Sequence, residues 1–169
     1  MKAFITALTA ILCVSFCLSA AGPPPTPFTA VEIDRFVAAA GVAFPADYQS
    51  ALVEDIAREV SLAFPSVIIV RQGEALPFGH AVLRISGTVI EFKPGNRAKR
   101  QLIGMGAGAT VVETQVWFLD AATSQVLLSR GAKGVTRSGI AGGDSRGAVD
   151  GLAKKIAKFC NVSHLVESN

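Results

Sequence analysis

Residues 81–130 decide the fold of this chain, and they read AVLRISGTVIEFKPGNRAKRQLIGMGAGATVVETQVWFLDAATSQVLLSR. Alternation of apolar and polar residues predicts three antiparallel strands, which run over residues 81–92, 109–119 and 126–130. The apolar residues of the first strand change parity along its length. A change of parity requires a β-bulge or a strong local twist, and Gly87 is the position that we predict for it.

A basic connection joins the first two predicted strands. Its cations are Lys93, Arg97, Lys99 and Arg100. A connection this long is unusual for a hairpin and is often functional. Its charge suits anionic lipid headgroups, a glycan or an acidic partner, while a solvated loop without a partner is the simpler interpretation.

Three glycines, Gly104, Gly106 and Gly108, follow in the same connection. A nucleotide-binding loop places such glycines between a strand and the amino terminus of a helix, whose N–H groups meet the phosphates. Here a strand follows the glycines, so a nucleotide site is not expected. We interpret them as close-packing residues that bare one face of a strand to another backbone or helix, or to a second copy at a sheet edge.

The flanking sequence predicts two amphipathic helices and two further strands. One helix lies between Pro45 and Pro65, a closing helix begins near residue 145, and each has a single apolar face. Residues 29–37 alternate as a half-buried first strand, whereas residues 66–71 indicate an interior strand covered on both faces. The predicted fold is therefore α+β, in the order strand-helix-strand-strand-strand-helix, with a mixed or antiparallel sheet and both helices packed on one face.

Residues 1–21 have the pattern of a secretory signal peptide. Lys2 supplies the positive charge, residues 3–18 form the apolar run, and Ser19-Ala20-Ala21 offers a cleavage site of small residues. A retained anchor helix is the alternative, although the run is short for a full span. Cleavage would leave a proline-rich linker at 22–27, a single α+β domain at 28–160 and a flexible tail at 161–169. We expect a protein that is exported to the periplasm or secreted.

Cysteine usage fits this interpretation. Cys13 and Cys17 each follow a bulky residue, which does not suit lipidation, and both leave with the signal peptide. Cys160 then remains alone, so the mature chain has no intramolecular disulfide. We expect a buried thiol on the closing helix, and a disulfide between two chains is the alternative.

Charge and motifs argue against several classes of function. The formal charge of +3 falls to +2 without Lys2, which is too small an excess for broad nucleic-acid binding. A metal site needs clustered ligands, whereas His80, His164 and Cys160 are far apart in sequence or single. No serine lies in a nucleophile elbow. We therefore expect no enzymatic activity, no cofactor and no metal.

Four stretches occur in a characteristic order along the chain. They are Ile85-Ser86-Gly87-Thr88-Val89-Ile90-Glu91-Phe92, the basic loop with Gly95 and Arg97, Gly104-Met105-Gly106-Ala107-Gly108, and Asp120-Ala121-Ala122-Thr123. Together they resemble a bacterial exported family catalogued as domain of unknown function 4410. The resemblance implies a fold similar in outline to the periplasmic α/β domains of the curli-secretion lipoprotein and the Tol-system translocation protein. It supplies no catalytic residue. Ser124 stands where it implies glycine, which predicts a strained turn.

Two functional hypotheses follow. The leading one is a non-enzymatic envelope protein that binds or assembles with other proteins, including copies of itself, and not with nucleic acid. The alternative is a binder of an anionic lipid surface or a small anionic ligand through the basic loop at 93–100.

Overall fold

The structure, a computed structural model, describes residues 27–95, 109–136 and 146–166, and it confirms the α+β class. The strands are β1 (Ala30–Ile33), β2 (Val37–Ala38), β3 (Ile68–Arg71), β4 (Val82–Lys93), β5 (Val111–Asp120) and β6 (Val126–Val135). The helices are α1 (Ala46–Ala63) and α2 (Arg146–Val162). Four strands lie between the helices, in the four segments that the sequence predicts as strands there, although the predicted order counted only three.

The strands form one mixed sheet in the order β3-β1-β4-β5-β6. β1 pairs in parallel with β3 and β4, and β2 pairs with β4 further along the same edge. β4, β5 and β6 form the antiparallel meander that the sequence predicts.

Two predictions about the short strands are wrong. The first strand is not half-buried, because β1 lies between β3 and β4 and all four of its residues are buried. β3 is not an interior strand, because it forms an edge of the sheet and Ile68 is 39% exposed. The sequence patterns of these two segments describe their apolar content, whereas their neighbours in the sheet decide their burial.

Both helices pack on one face of the sheet, α1 against β1 and β3 and α2 against β5 and β6. α1 begins after Pro45 and ends before Phe64, as the apolar residues at every fourth position predict. The largest fully buried side chains come from both layers and include Phe36, Phe64, Phe118, Ile33, Leu52 and Leu152. The core therefore lies between the sheet and the two helices.

The β-bulge of β4 lies at Ile90, where the register with β5 shifts, and not at Gly87 as predicted. Gly87 has a different role. A Cβ atom at this position would collide with the ring of Phe36 and lie 2.9 Å from the carbonyl oxygen of Gln115. The bare backbone of Gly87 thus lets the Phe36 ring pack directly on the sheet.

The segment after residue 160 is not a flexible tail up to residue 166. Leu165 and Val166 are only 8% and 4% exposed, and the Phe28 N–H donates to the carbonyl oxygen of Leu165 at 2.9 Å. Two apolar side chains after the helix cover the end of the core next to the start of β1. Their burial explains why this segment is held in place.

The turn before β6 has the strain that its sequence predicts. Ser124 has a φ of 58°, a left-handed conformation that costs a residue with a side chain about 1–2 kcal/mol. Ser124→Gly is expected to raise the free energy of unfolding by about 0.5–1 kcal/mol, because the flexibility of glycine in the unfolded chain offsets part of the gain. Urea unfolding followed by Trp117 fluorescence measures the change. Ser129→Gly, within β6, is the matched control and should destabilise, and equal effects would contradict the argument.

Candidate interaction surfaces

Lys93 is the one predicted binding residue that the structure describes. The remaining predicted site residues, Arg97, Lys99, Arg100, Gly104, Gly106 and Gly108, lie outside the described residues, and their roles stay predictions. Lys93 ends β4 and pairs with Glu91, and this hydrogen bond raises the pKa of Lys93. The hydroxyl of Thr110 accepts the Gly95 N–H at 3.0 Å, which holds the two ends of the connection together.

A shallow pocket of about 200 Å³ opens at the carboxyl ends of β1 and β3. In sheets with parallel strands this is the end at which ligands bind. The polar residues that line it include Arg35, Ser50, Glu54, Arg71 and Gln72. A volume of this size accepts a side chain or a small polar group and is smaller than a typical pocket for a small-molecule ligand.

The side chains of Glu54, Arg71 and Ser50 in this pocket are bonded to one another or to the backbone. Two hydrogen bonds of 3.0 and 2.8 Å join the Arg71 guanidinium to the Glu54 carboxylate. These bonds lower the pKa of Glu54, so the carboxylate stays ionised at neutral pH and is a poor proton donor. The Ser50 hydroxyl donates to the carbonyl oxygen of Ala46 at 3.1 Å and is engaged within its helix.

A buried ion pair lies on the sheet face opposite the helices. Glu32 is 6% exposed, and its carboxylate accepts a hydrogen bond of 2.7 Å from Arg84, its partner in the register of β1 and β4. Asp34 follows β1 beside this pair. Burial and the charge of Glu32 raise the pKa of Asp34, and Arg84 opposes them. Arg84 thus pairs with Glu32, and its charge also acts on Asp34.

The amino-terminal half of β6 is exposed along the edge of the sheet. β6 pairs only with β5 in the described sheet, and Val126 at its start is 51% exposed. The carboxyl-terminal half is different, because the Lys155 ammonium donates to the carbonyl oxygen of Lys133 at 2.6 Å. This bond satisfies a backbone acceptor at the edge of the sheet. No lysine of the described residues makes such a bond to the backbone of residues 126–130. We call this segment the open edge.

The face opposite the helices also carries Trp117, at the centre of the meander. Trp117 lies in register between Ser86 and Ser129. The amide nitrogen of Gln115 donates to the Ser129 hydroxyl at 2.6 Å. Neither helix of the described chain covers these residues, which form a polar, half-exposed surface and not a cavity.

Phe78 is the most exposed large apolar side chain of the described residues, with a relative exposure of 103%. It lies in a turn in which the His80 N–H faces the carbonyl oxygen of Pro77 at 3.4 Å and Gly79 has a φ of 79°. Neither this residue nor the Glu32–Arg84 pair is indicated by the sequence pattern. Pro77 and Gly79 signal a loop, but exposure of the ring depends on which elements lie nearby.

The histidines do not form a metal site within the described parts of the chain. His80 Nδ1 lies 3.0 Å from the Thr29 hydroxyl, and His164 belongs to the turn after α2. No group of three His, Cys, Asp or Glu side chains in residues 27–95, 109–136 and 146–166 is arranged to hold a metal ion. No helix in these same ranges is long and apolar enough to cross a membrane.

Cys160 is fully buried on α2, as the sequence predicts, and burial raises the pKa of its thiol to about 12. The usual value is 9.0, so the neutral thiol contributes stability that is complete below about pH 9 and is lost as the pH rises toward 12. The wild type should therefore lose more stability than Cys160→Ala between about pH 8.5 and about pH 10.5. Urea unfolding with a reductant present measures both, and equal losses would show that the thiol is not desolvated.

Comparisons with known proteins agree with the α+β fold. A family model described as Domain of unknown function (DUF4410) matches residues 43–143. A PelC variant dodecamer from Paraburkholderia phytofirmans is 15% identical with a TM-score of 0.58, and a second PelC dodecamer from that bacterium is 17% identical with a TM-score of 0.52. Both alignments cover 88% of this chain and 96% of the other.

A third similar structure is protein XCC0632 from Xanthomonas campestris, of family-model DUF330. It is 12% identical with a TM-score of 0.51, and the alignment covers 81% of this chain and 85% of that chain. No curated protein matches the chain. At these identities the likeness to solved structures concerns the fold alone.

Proposed function

Since the chain belongs to the DUF4410 family, a domain of unknown function, we propose that it is a non-enzymatic domain exported to the bacterial envelope, where it assembles with copies of itself. The observation that carries this proposal is the open edge at residues 126–130. Two PelC proteins with a similar fold form dodecamers, which supports self-association as a use of this fold.

The chemistry of the open edge suits strand pairing. An edge strand presents backbone N–H and C=O groups that bind another strand, and apolar residues at alternate positions add contact area. Residues 126–128 are Val-Leu-Leu, and Arg130 is the single charged side chain of the open edge. Lys155 occupies a backbone acceptor only in the carboxyl-terminal half of β6, at Lys133. Pairing would therefore begin in the amino-terminal half, at the open edge.

A second copy is the natural partner for such an edge. Two β6 strands can pair antiparallel about a two-fold axis, so that the same surface serves both copies and the two sheets become one. The pocket beside β3 supports a non-enzymatic role, because its acid is held ionised by Arg71 and its serine is engaged within α1. The described end of the basic loop does not favour the alternative function, since Lys93 is paired with Glu91.

Light scattering after size exclusion, on the protein exported by its own signal and purified from the envelope, tests the proposal. The wild type should have the mass of a multimer, and Ser129→Glu should lower it, because the added charge would face its own copy across the two-fold axis. The glutamate retains an acceptor for Gln115, so folding should be preserved. Ala46→Glu, at the exposed amino terminus of α1, is the matched control and should leave the mass unchanged.

A wild type that stays monomeric at every concentration would overturn self-assembly. A multimer that Ser129→Glu leaves intact would overturn the open edge as its contact. Turnover of any substrate by the purified protein, abolished by Arg71→Ala, would overturn the non-enzymatic assignment.

A further inference from the structure

Within residues 27–95, 109–136 and 146–166, one end of the domain is formed by segments that contain no charged residue. The helices run parallel, since Asp55 lies 3.7 Å from Arg146 and Arg58 lies 2.9 Å from Asp150, so their carboxyl ends lie at the same end of the domain. The starts of β1, β3 and β4 and the turn between β5 and β6 lie at this end too. The segments that form this uncharged end are residues 61–68, 77–81, 121–125 and 161–165, and none contains Asp, Glu, Lys or Arg.

The uncharged end presents apolar side chains to solvent. Leu62 is 70% exposed, Val162 is 66% exposed and Ile68 is 39% exposed. Phe78, 103% exposed, belongs to the same end, because the ring of His80 contacts the Thr29 hydroxyl just before β1. Apolar side chains on a surface without charge are typical of contact surfaces and not of surfaces that face water.

Charge is concentrated elsewhere on the described surface. The end opposite the uncharged one carries Arg35, Asp47, Glu91 and Lys93. The acid nearest the uncharged end, Asp120, is turned into its own loop, where Oδ1 accepts the N–H groups of Ala122 and Thr123 at 2.8 and 3.0 Å. The partner at this end must therefore be recognised by apolar contact, without an ionic contribution.

The chain itself indicates which apolar partner is near. The domain begins at Phe28, beside Leu165 at this same end. The apolar run at 3–18 is separated from residue 27 by eight residues, which reach at most about 28 Å when fully extended. The 12 residues of β4 alone span about 40 Å, so the opposite end of the domain lies beyond that reach. Before its cleavage, a signal peptide at residues 1–21 would therefore keep the uncharged end, and not the opposite end, within reach of the membrane.

We propose that the uncharged end is a membrane-contact surface, seated on the interface of a lipid bilayer with the Phe78 ring inserted at the boundary between headgroups and acyl chains. The contact is apolar, so it does not need anionic lipid and does not weaken in salt. It differs in physics from binding through the basic loop at 93–100, and the described start of that loop, Lys93, lies at the opposite end of the domain. It is independent of the open edge of β6.

A tryptophan placed at each end tests the orientation. Trp117 is the only tryptophan in the sequence, so the exported protein with Trp117→Phe has no tryptophan fluorescence. Phe78→Trp is introduced in this background, and Ile90→Trp, which replaces an exposed apolar residue at the opposite end, is the matched control. Each protein is mixed with phosphatidylcholine vesicles that contain brominated lipid. We expect quenching several-fold stronger at position 78 than at position 90, unchanged by salt, whether or not residues 1–21 are retained.

Three results would overturn the proposal. The first is no quenching at position 78. The second is stronger quenching at position 90 that requires anionic lipid and falls with salt, which would place the basic loop on the membrane. The third is a lower oligomeric mass for Phe78→Ser without vesicles, which would make a second copy the partner of this end. Ser129→Glu is tested by oligomeric mass and Phe78→Trp by lipid quenching. The self-assembly proposal and the membrane-contact proposal can therefore be rejected separately.

Discussion

Replacing Gly134 with alanine is expected to lower the free energy of unfolding by about 3 kcal/mol or more, the upper end of the cost of overpacking a core. Gly134 lies in β6 directly beneath α2. A Cβ atom there would collide with the carbonyl oxygen of Ala148 and lie 2.9 Å from Cβ of Leu152. The obstacle is the backbone of a helix, which cannot rotate away as a side chain can. α2 must then lift from the sheet, and the buried contacts along its apolar face weaken together.

Two other glycines provide matched controls for this substitution. Gly131, in the same strand, has only the side-chain oxygen of Gln115 near its Cβ position, at 3.9 Å, so Gly131→Ala should change stability little. Gly151, inside α2, has no atom within 4 Å, and Gly151→Ala should stabilise the helix by up to about 1 kcal/mol. Urea midpoints for the three variants measure these effects. A Gly134→Ala midpoint equal to that of Gly131→Ala would show that α2 is not in close contact with β6.

The glycines also show how far local sequence predicts this fold. A glycine that allows close packing was expected at Gly104, Gly106 and Gly108, which lie outside the described residues, whereas Gly87 and Gly134 have this role within them. The sequence around Gly134 gives no signal of it, because the requirement comes from a helix that follows later in the chain. By contrast, the strain at Ser124 was predicted, because the family resemblance implies glycine at this one turn position.

The same distinction separates the strands that were predicted well from those that were not. β4, β5 and β6 follow one another in the chain and pair antiparallel in that order, so the alternation of apolar and polar residues is sufficient to predict them. β1 and β3 pair in parallel through the crossover of α1, and no local pattern reveals that β1 is central and β3 is an edge. The candidate surfaces follow the same rule. Exposure of Phe78 and of the open edge depends on which elements fail to cover them.

Arg84→Met is expected to produce the second large loss, about 3 kcal/mol at neutral pH, the low end of the cost of breaking a buried ion pair because Arg84 is partly exposed. The methionine preserves much of the packing of the arginine stem and removes only the charge. Glu32, 6% exposed, then stays in the sheet without its cation, with Asp34 close by. Lys133→Met, which breaks a half-exposed pair with Glu113, is the matched control and should cost almost nothing.

The pH dependence of this loss identifies its cause. The pKa of Asp34 is already raised by burial and by Glu32, and removing Arg84 takes away the charge that opposes them. A carboxyl group with a raised pKa in the folded state contributes stability that is present below its unfolded pKa and is lost as the pH rises through the folded pKa. The deficit of Arg84→Met should therefore be small near pH 4 and grow toward neutral pH.

The second carboxylate can be removed separately. Glu32→Gln keeps an acceptor at the same position without its charge, so the double variant Glu32→Gln with Arg84→Met should recover part of the stability that Arg84→Met alone loses. The four proteins of this cycle, unfolded in urea at acidic and neutral pH, give the coupling between the two residues. A double variant as unstable as the sum of the two single variants would mean that Arg84 acts through its packing. The polar centre of the sheet would then depend on shape and not on charge.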